Sequence, residues 1–332
     1  MNMSISPDLN TKTYIAPSPY RSAVLCSGED TKSFLHRMST QKINILNEKE
    51  GALNAFVDQK GRLLDVTFHL QTQNDECLLL GQQADGQELI DWLEKFHFIE
   101  KIEFNNLSAS NNGILLFGAN SESLLHRILE TDFAPLAPWQ FANTKSFYAV
   151  RVFDYANDQG SPVPCYYLTD VSGDKVDLEQ RLQELSAERI TQEDENDLRI
   201  KSGVPRAPQE INDSITPLAL ALHDSISWSK GCYIGQEVIA RMDTYDRVTK
   251  NLALCTLKTN TAIEEQTLLY TGDKKIGYVT SASRLVDGTQ HLLILLRLRE
   301  NEIEDAGLHI KSDQGEQGVQ IVKRLAKQEP HD

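Results

Sequence analysis

The sequence predicts an α+β protein that gives way, near its C-terminal end, to a small all-β module. Three observations predict it. Short apolar runs that read as strands alternate with amphipathic helices through residues 1–248. The turns between them are of hairpin length, without regular βαβ crossovers, which favours α+β over a doubly wound sheet. After about residue 249 helical periodicity stops, and five or six short strands follow one another over some eighty residues, the texture of a small barrel or sandwich. Two domains are therefore expected, 1–248 and 249–332.

Each element has a local reason. In GEDTKSFLHRMSTQKI (28–43), Asp30 or Thr31 can cap a helix, and Phe34, Leu35 and Met38 fall on one face. ALNAFVDQKGRLLDVTFHLQ (52–71) places apolar residues on both sides of a Gln-Lys-Gly turn and reads as a hairpin. ECLLLGQQ (76–83) reads as a strand. QELIDWLEKFHF (87–98) carries Leu89, Ile90, Trp92, Leu93 and Phe96 at helical spacing. SLLHRILE (123–130) and VDLEQRLQEL (176–185) read as further helices, and YAVRVFDY and VPCYYLTD as strands around an NDQG turn. NLALCTLKT, QTLLYTGDKKIGYVTSAS, HLLILLRL, GLHIKS and GVQIVKRL supply the strands of the second domain.

Composition narrows the function classes. No run approaches the roughly 18 apolar residues of a membrane span, and the polar N-terminus lacks the basic-then-apolar order of a secretory signal, so a cytoplasmic, non-membrane protein is expected. The net charge of −15 argues against strong non-specific nucleic-acid binding, which draws its affinity from phosphate neutralisation. Lys230, Arg241, Arg247 and Lys250 nonetheless fall within 21 residues. They form either a solvated face or a rim for an anionic ligand such as a carboxylate-bearing cofactor. The five cysteines, Cys26, Cys77, Cys165, Cys232 and Cys255, form no CxxC, which leaves no disulfide framework and no sequence-local metal nest. The eight histidines show no ligand spacing, and GxGxxG, GxxxxGK[ST] and GxSxG are absent from the sequence.

The stretch SWSKGCYIGQEVIAR (227–241) holds the candidate site. Cys77 and Cys255 sit among leucines and read as core thiols. Cys232 is set between Lys230 and two glycines, Gly231 and Gly235, which permit a bend, and the lysine favours the thiolate. Nucleophile, redox sensor and metal ligand all remain open roles for it. Gln236 and Glu237 begin a helix whose dipole favours the acid in its first turn. An amide beside a carboxylate also matches the amino and ring N–H groups of a pterin. Arg241 follows one turn later.

KGCYIGQE resembles the signature of the folate-binding YgfZ family, relatives of the glycine-cleavage T protein (aminomethyltransferase). GEDTKSFLHRMSTQKI, DQKGRLLDVTF, DLRIKSGVP and KKIGYVTSAS resemble further family segments in the expected order, so the resemblance covers nearly the whole chain. It implies ferredoxin-like sub-modules around a central cavity, followed by a small β-barrel. It also implies a tetrahydrofolate-binding accessory protein, more accessory factor than enzyme, that supports iron–sulfur cluster assembly or repair and iron–sulfur-dependent tRNA modification. Its partners would be iron–sulfur client enzymes or assembly proteins, met transiently. Cys232 would be the functional thiol, with Lys230 beside it. Tyr233, Gln236, Glu237, Arg241, Asp65 and Arg199 would hold tetrahydrofolate or a one-carbon derivative. The alternative is a tetrahydrofolate-dependent aminomethyltransferase with Asp65 as its nearest acid–base group. Against the aminomethyltransferase pattern, Gly61–Val66 carries one aspartate rather than two, Lys201 stands where a pterin-gripping Glu is usual, and PLALAL follows at Pro217.

Overall fold

The computed structural model describes residues 7–130, 134–145, 147–171, 177–245, 248–297, 307–312 and 315–325. The chain divides into two compact units. The first comprises Met1–Asp58, Leu64–Glu195 and Asp224–Ile234, and the second Gln59–Leu63, Asn196–His223 and Gly235–Asp332.

The first unit is built on two sheets. In chain order its elements are β1 (Thr13–Pro17), β2 (Ser22–Ser27), α1 (Thr31–Met38), β3 (Gly51–Val57), β4 (Leu63–Gln73), β5 (Glu76–Gly81), α2 (Gln87–Leu93), β6 (Glu103–Asn106), β7 (Ile114–Gly118) and α3 (Ser121–Leu129). β8 (Phe141–Asn143), β9 (Tyr148–Arg151), the short pair β10 (Tyr155–Ala156) and β11 (Pro162–Val163), β12 (Cys165–Thr169), α4 (Leu178–Glu184) and β13 (Glu188–Arg189) follow. One sheet has the order β3-β4-β5-β2-β6 and the other β13-β1-β7-β12-β9-β8.

Strand alternation sorts the side chains of each sheet. Val24 and Cys26 on β2, Phe56 on β3 and Cys77 and Leu79 on β5 share one core with Phe34, Leu35 and Met38 of α1 and Leu89, Ile90 and Leu93 of α2. Ile15, Leu116, Tyr166 and Leu168 likewise pack beneath Leu124, Leu125, Ile128 and Leu129 of α3 and Leu178 and Leu182 of α4. Helices this short are not stable alone. Each buried leucine contributes about 2 kcal/mol, so packing rather than propensity holds them. The opposite faces of the two sheets meet through aromatics: Tyr20 lies 5.0 Å from Phe68 and 4.9 Å from Tyr167, and Phe68 stacks on Trp139 at 6.0 Å. Cys26 and Cys77 face each other directly across β2 and β5, and burial pushes the Cys77 thiol well above its ordinary range.

In the second unit, α5 (Gln192–Ser202, which begins in the first unit) and α6 (Gln236–Thr244) precede β14 (Asn251–Lys258), β15 (Leu268–Thr271), β16 (Lys274–Ala282), β17 (Thr289–Leu296), β18 (Leu308–Ser312) and β19 (Gly315–Arg324). These six strands close into a barrel in the order β14-β17-β16-β15-β18-β19. Ala253, Cys255 and Leu257 alternate inward on β14 against Leu292, Ile294 and Leu296 of β17, and Ile276, Val279, Leu308 and Ile310 fill the remaining interior. A small barrel of this kind is a packed core rather than a channel.

The α+β class and the C-terminal barrel stand as the sequence predicts. Two helices differ from expectation. The pattern over 87–98 promises one long helix, but α2 ends at Leu93, a 3-10 turn covers Glu94–Phe96, and the chain turns extended at His97. His97 is held there by the Glu94 carboxylate at 2.9 Å and the Glu100 carbonyl at 2.8 Å, which leaves Phe98 and Ile99 exposed. The second difference is α5, which carries too little apolar periodicity to read as a helix.

Candidate functional site

The stretch before Cys232 is stitched to the end of α1. Thr40 Oγ1 donates to the Ser225 carbonyl, the Ser227 amide donates to the Thr40 carbonyl at 3.0 Å, and Gln41 Nε2 donates to the Asp224 carbonyl at 2.7 Å. Lys230 completes the clamp. A helix C-terminus carries carbonyls without intrahelical partners and the negative end of the dipole. The Lys230 ammonium enters that position, donating to the carbonyls of His36 and Ser39 at 2.6 Å each and of Gln41 at 2.9 Å. Its side chain is 7% exposed, and burial brings its pKa down to about 7 while the three carbonyls favour the charged form. The Tyr233 ring lies over the same nitrogen at 5.0 Å, and burial pushes its phenol up to about 12.

Lys230 also has a structural task that its sequence setting does not announce. An ammonium has three donors, and all three point at carbonyls of the first unit, so this nitrogen anchors the loop. Beyond the anchor the chain emerges. Gly231 and Cys232 are exposed, whereas Cys26, Cys77, Cys165 and Cys255 are buried. The two glycines also differ from each other. Gly235 adopts φ +79° at the N-cap of α6, where a side chain is strained. Gly231 has no such φ, and a Cβ there would meet nothing within 4 Å.

In the second unit, α6 begins at Gln236 as expected. Ile239 is fully buried, Gln236 is half-buried, and Glu237 and Arg241 are exposed one turn apart. Of the remaining basic candidates, Arg247 lies outside the described residues, and Lys250 is half-buried, donating to the Ser214 carbonyl at 2.8 Å.

Two expected ligand contacts are instead internal. Arg199 is 1% exposed. It donates to Glu210 and the Val204 carbonyl at 3.2 Å each, to Ser281 Oγ at 2.8 Å and to Asn196 Oδ1 at 2.8 Å. Ser281 in turn donates to Glu210 at 2.7 Å, which closes a buried triad around an ion pair. Asp65 is also 1% exposed. Its Oδ1 accepts from the Val66 amide at 2.8 Å and the Gln82 amide at 3.4 Å, and a Cβ at Gly81 would collide with its Oδ2. Burial raises its pKa to about 7, against these donors. Both side chains turn inward, with their polar atoms taken up by these partners. Asp65 lies on the same side of β4 as His69, whose ring is fully buried, with burial lowering its pKa to about 4.

No family model matches the chain. Among curated proteins, a chloroplastic protein of Arabidopsis thaliana named as a transferase is 27% identical over 270 residues, 80% of this chain. The match spans 60% of that protein's length. The tRNA-modifying protein YgfZ of Colwellia psychrerythraea is 27% identical over 234 residues, 70% of this chain and 68% of that protein. An aminomethyltransferase of Staphylococcus epidermidis is 20% identical over 266 residues, 78% and 71% of the two chains. Among solved structures, the aminomethyltransferase T of the glycine cleavage system from Bartonella henselae superposes with a TM-score of 0.78. It is 13% identical, and the superposition covers 95% of this chain and 86% of that one. This chain is a YgfZ-like relative of the aminomethyltransferases and has their fold.

Proposed function

We propose that this chain is a tetrahydrofolate-binding accessory protein of the cytoplasm that supports iron–sulfur enzymes, among them enzymes that modify transfer RNA. Cys232 is its working thiol. The observation that carries the reading is the exposure of Cys232, one cysteine of five, on a stretch whose flank is clamped to α1. The clamp keeps the thiol's neighbourhood fixed while leaving the sulfur open to a partner. The tRNA-modifying name of the Colwellia relative supports the same direction.

The residues of α6 fit a folate. Gln236 and Glu237 offer an amide and a carboxylate for the pterin edge, and the exposed Arg241 suits a carboxylate of the glutamyl tail. Asp65 and Arg199 are buried with partners of their own, so this reading draws first on the α6 side chains. Tetrahydrofolate supplies a reductant and a one-carbon acceptor when bound. Lys230 contributes by positioning the loop, and Cys232 by contact with transient iron–sulfur clients. The transferase alternative draws on the Staphylococcus relative; its nearest acid–base candidate, Asp65, is buried, and Lys201 stands where a pterin-gripping Glu is usual.

Two measurements test the proposal together. Cys232→Ala keeps the fold and the calorimetric response to tetrahydrofolate but abolishes support of iron–sulfur enzyme activity in cells lacking the wild-type chain. Glu237→Ala weakens the calorimetric response. Full iron–sulfur enzyme activity with Cys232→Ala refutes the thiol's role, and appreciable methylene-tetrahydrofolate made from an aminomethyl donor favours the transferase.

A further inference from the structure

The five-stranded sheet of the first unit has two borders, β3 and β6, and they are finished differently. Along β3 the border is covered by side chains. Gln140 Oε1 accepts from the Gly51 amide at 3.1 Å, and Gln140 Nε2 donates to the Gly51 carbonyl at 2.8 Å. Thr40 Oγ1 accepts from the Ala55 amide at 3.1 Å, and the Thr40 amide donates to the Ala55 carbonyl at 2.9 Å. Along β6 no such cover stands among the described residues. The Leu107 amide donates to the Ala23 carbonyl at 2.8 Å, and Asn105 and Glu103 fall opposite Leu25 and Ser27. Antiparallel pairing alternates, so these odd-numbered residues direct their backbone groups to β2, while Phe104 and Asn106 turn theirs outward.

An apolar tip stands at the start of the β6 border. Phe98 is 81% exposed and Ile99 91%. The tip is held in place: the Glu100 carboxylate accepts from both of its amides at 3.2 Å and pairs with Arg37 of α1, and the Lys101 amide donates to Asp30 at 2.8 Å. At the far end of β6, Leu107 is half-buried and Ala109 is exposed. The border therefore complements its own reverse. About a two-fold axis at Phe104, that residue faces its own copy and Asn106 faces Ile102 of the partner subunit. Each Phe98–Ile99 tip then comes to the end of the opposing strand, where Leu107 and Ala109 of the partner subunit lie. Glu103 falls opposite Asn105 of the partner subunit, whereas an axis at Glu103 would oppose two like charges.

We propose that β6 is the seam of a homodimer, in which two copies of this chain join their sheets edge to edge and lay the Phe98–Ile99 tips on each other's Leu107–Ala109 ends. An uncovered edge strand is a template for another strand. A second copy answers both features of the border at once, the outward backbone groups and the apolar tip. A lipid surface would take the tip but leave the amides of Phe104 and Asn106 without partners. Two chains at −15 repel one another, so association tightens as salt screens that repulsion. The inference uses neither Cys232 nor the α6 side chains and stands apart from the function proposed for them.

The test is sedimentation of the full chain from low micromolar to several hundred micromolar, at low and at physiological salt. Wild type is expected to pass from monomer to dimer as concentration rises, at lower concentration in the higher salt. Phe98→Ser/Ile99→Ser weakens the dimer by at least about tenfold and, both residues being exposed, keeps its circular dichroism. Asn105→Glu sets two like-charged pairs across the seam and weakens it by at least about threefold. Glu103→Asn/Asn105→Glu restores the pairing of unlike residues and the wild-type affinity. Lys258→Gln, an exposed barrel residue, changes the net charge as much as Asn105→Glu does and leaves the dimer intact. Hydrogen exchange adds the location: the amides of Phe104 and Asn106 become protected as concentration rises. A chain that stays monomeric throughout, a dimer indifferent to the Phe98/Ile99 and Asn105 variants, or protection appearing elsewhere and not on β6 overturns the proposal. So does variant-sensitive binding to phosphatidylcholine vesicles by a chain that remains a monomer.

Discussion

Replacing Lys230 by Met asks how much one ammonium does for the loop that carries Cys232. Met preserves the apolar stem and removes the three donors. Hydrogen bonds to a charged group contribute about 1.5–3 kcal/mol each, so three of them sum to roughly 4–9 kcal/mol if the carbonyls find no other partner. Two effects reduce that sum. His36 and Gln41 are half-buried, so water can replace the ammonium at their carbonyls, whereas Ser39 is fully buried. Met also avoids the cost of holding a cation out of water, a matter of several kcal/mol. A net loss of roughly 2–4 kcal/mol remains. Urea unfolding measures it as a lowered midpoint with an unchanged slope. Lys230→Arg does not restore stability, because the three carbonyls converge on one nitrogen and a planar guanidinium spreads its donors. A Lys230→Met protein within about 0.5 kcal/mol of wild type, or full rescue by Arg, would refute the reasoning.

Two further predictions concern buried charge. Asp65 has a folded pKa raised to about 7, so between about 4 and 7 the folded chain binds more protons at this residue than the unfolded chain. Its contribution is fully present below about 4 and is lost as pH rises through about 7, up to ~4 kcal/mol in all. His69, with its pKa lowered to about 4, acts in the opposite sense and favours the fold increasingly from about 4 to 6.5. Asp65→Asn therefore gives a stability that rises with pH more steeply than wild type across 4–7, read by thermal unfolding at several pH values, and parallel profiles would exclude a buried titrating Asp65. Arg199→Met leaves Glu210, itself fully buried, without its counter-charge and costs about 3–5 kcal/mol in urea unfolding, while Arg199→Met/Glu210→Met recovers much of that loss.

What could be read in advance follows from where apolar side chains fall. Phe34, Leu35 and Met38 mark α1 because all three face one core, and the inward rows of β14 and β17 mark the barrel for the same reason. The sequence hides α5 because the helix buries charge. Glu195, Asp197 and Arg199 occupy positions that a hydrophobic pattern leaves blank, each with a partner far along the chain: Tyr155, Arg284 and Ser281. One local signal was available. Thr191 and Asp194 form a reciprocal cap, with the Asp194 amide donating to Thr191 Oγ1 at 3.1 Å and the Thr191 amide to the Asp194 carboxylate at 3.2 Å. In the candidate site, the exposure of Cys232 accords with its glycine-flanked setting. The engagement of Lys230 is not readable locally, because its acceptors lie some 190 residues away in sequence. Asp65 and Arg199 sit in motif-like segments, yet both face the interior, and no local pattern separates an aspartate that meets a ligand from one wedged against Gly81.

The ring of six strands has a consequence for damage. Because β19 zips the circle shut between β18 and β14, a chain cut before residue 315 would leave two long ribbons of unpaired amides and carbonyls, one on each side of the gap. Such open borders recruit strands from neighbouring molecules. A lesion in the last few turns of the sequence would therefore be felt as self-association and precipitation of the whole polypeptide, well before any loss at the thiol-bearing loop.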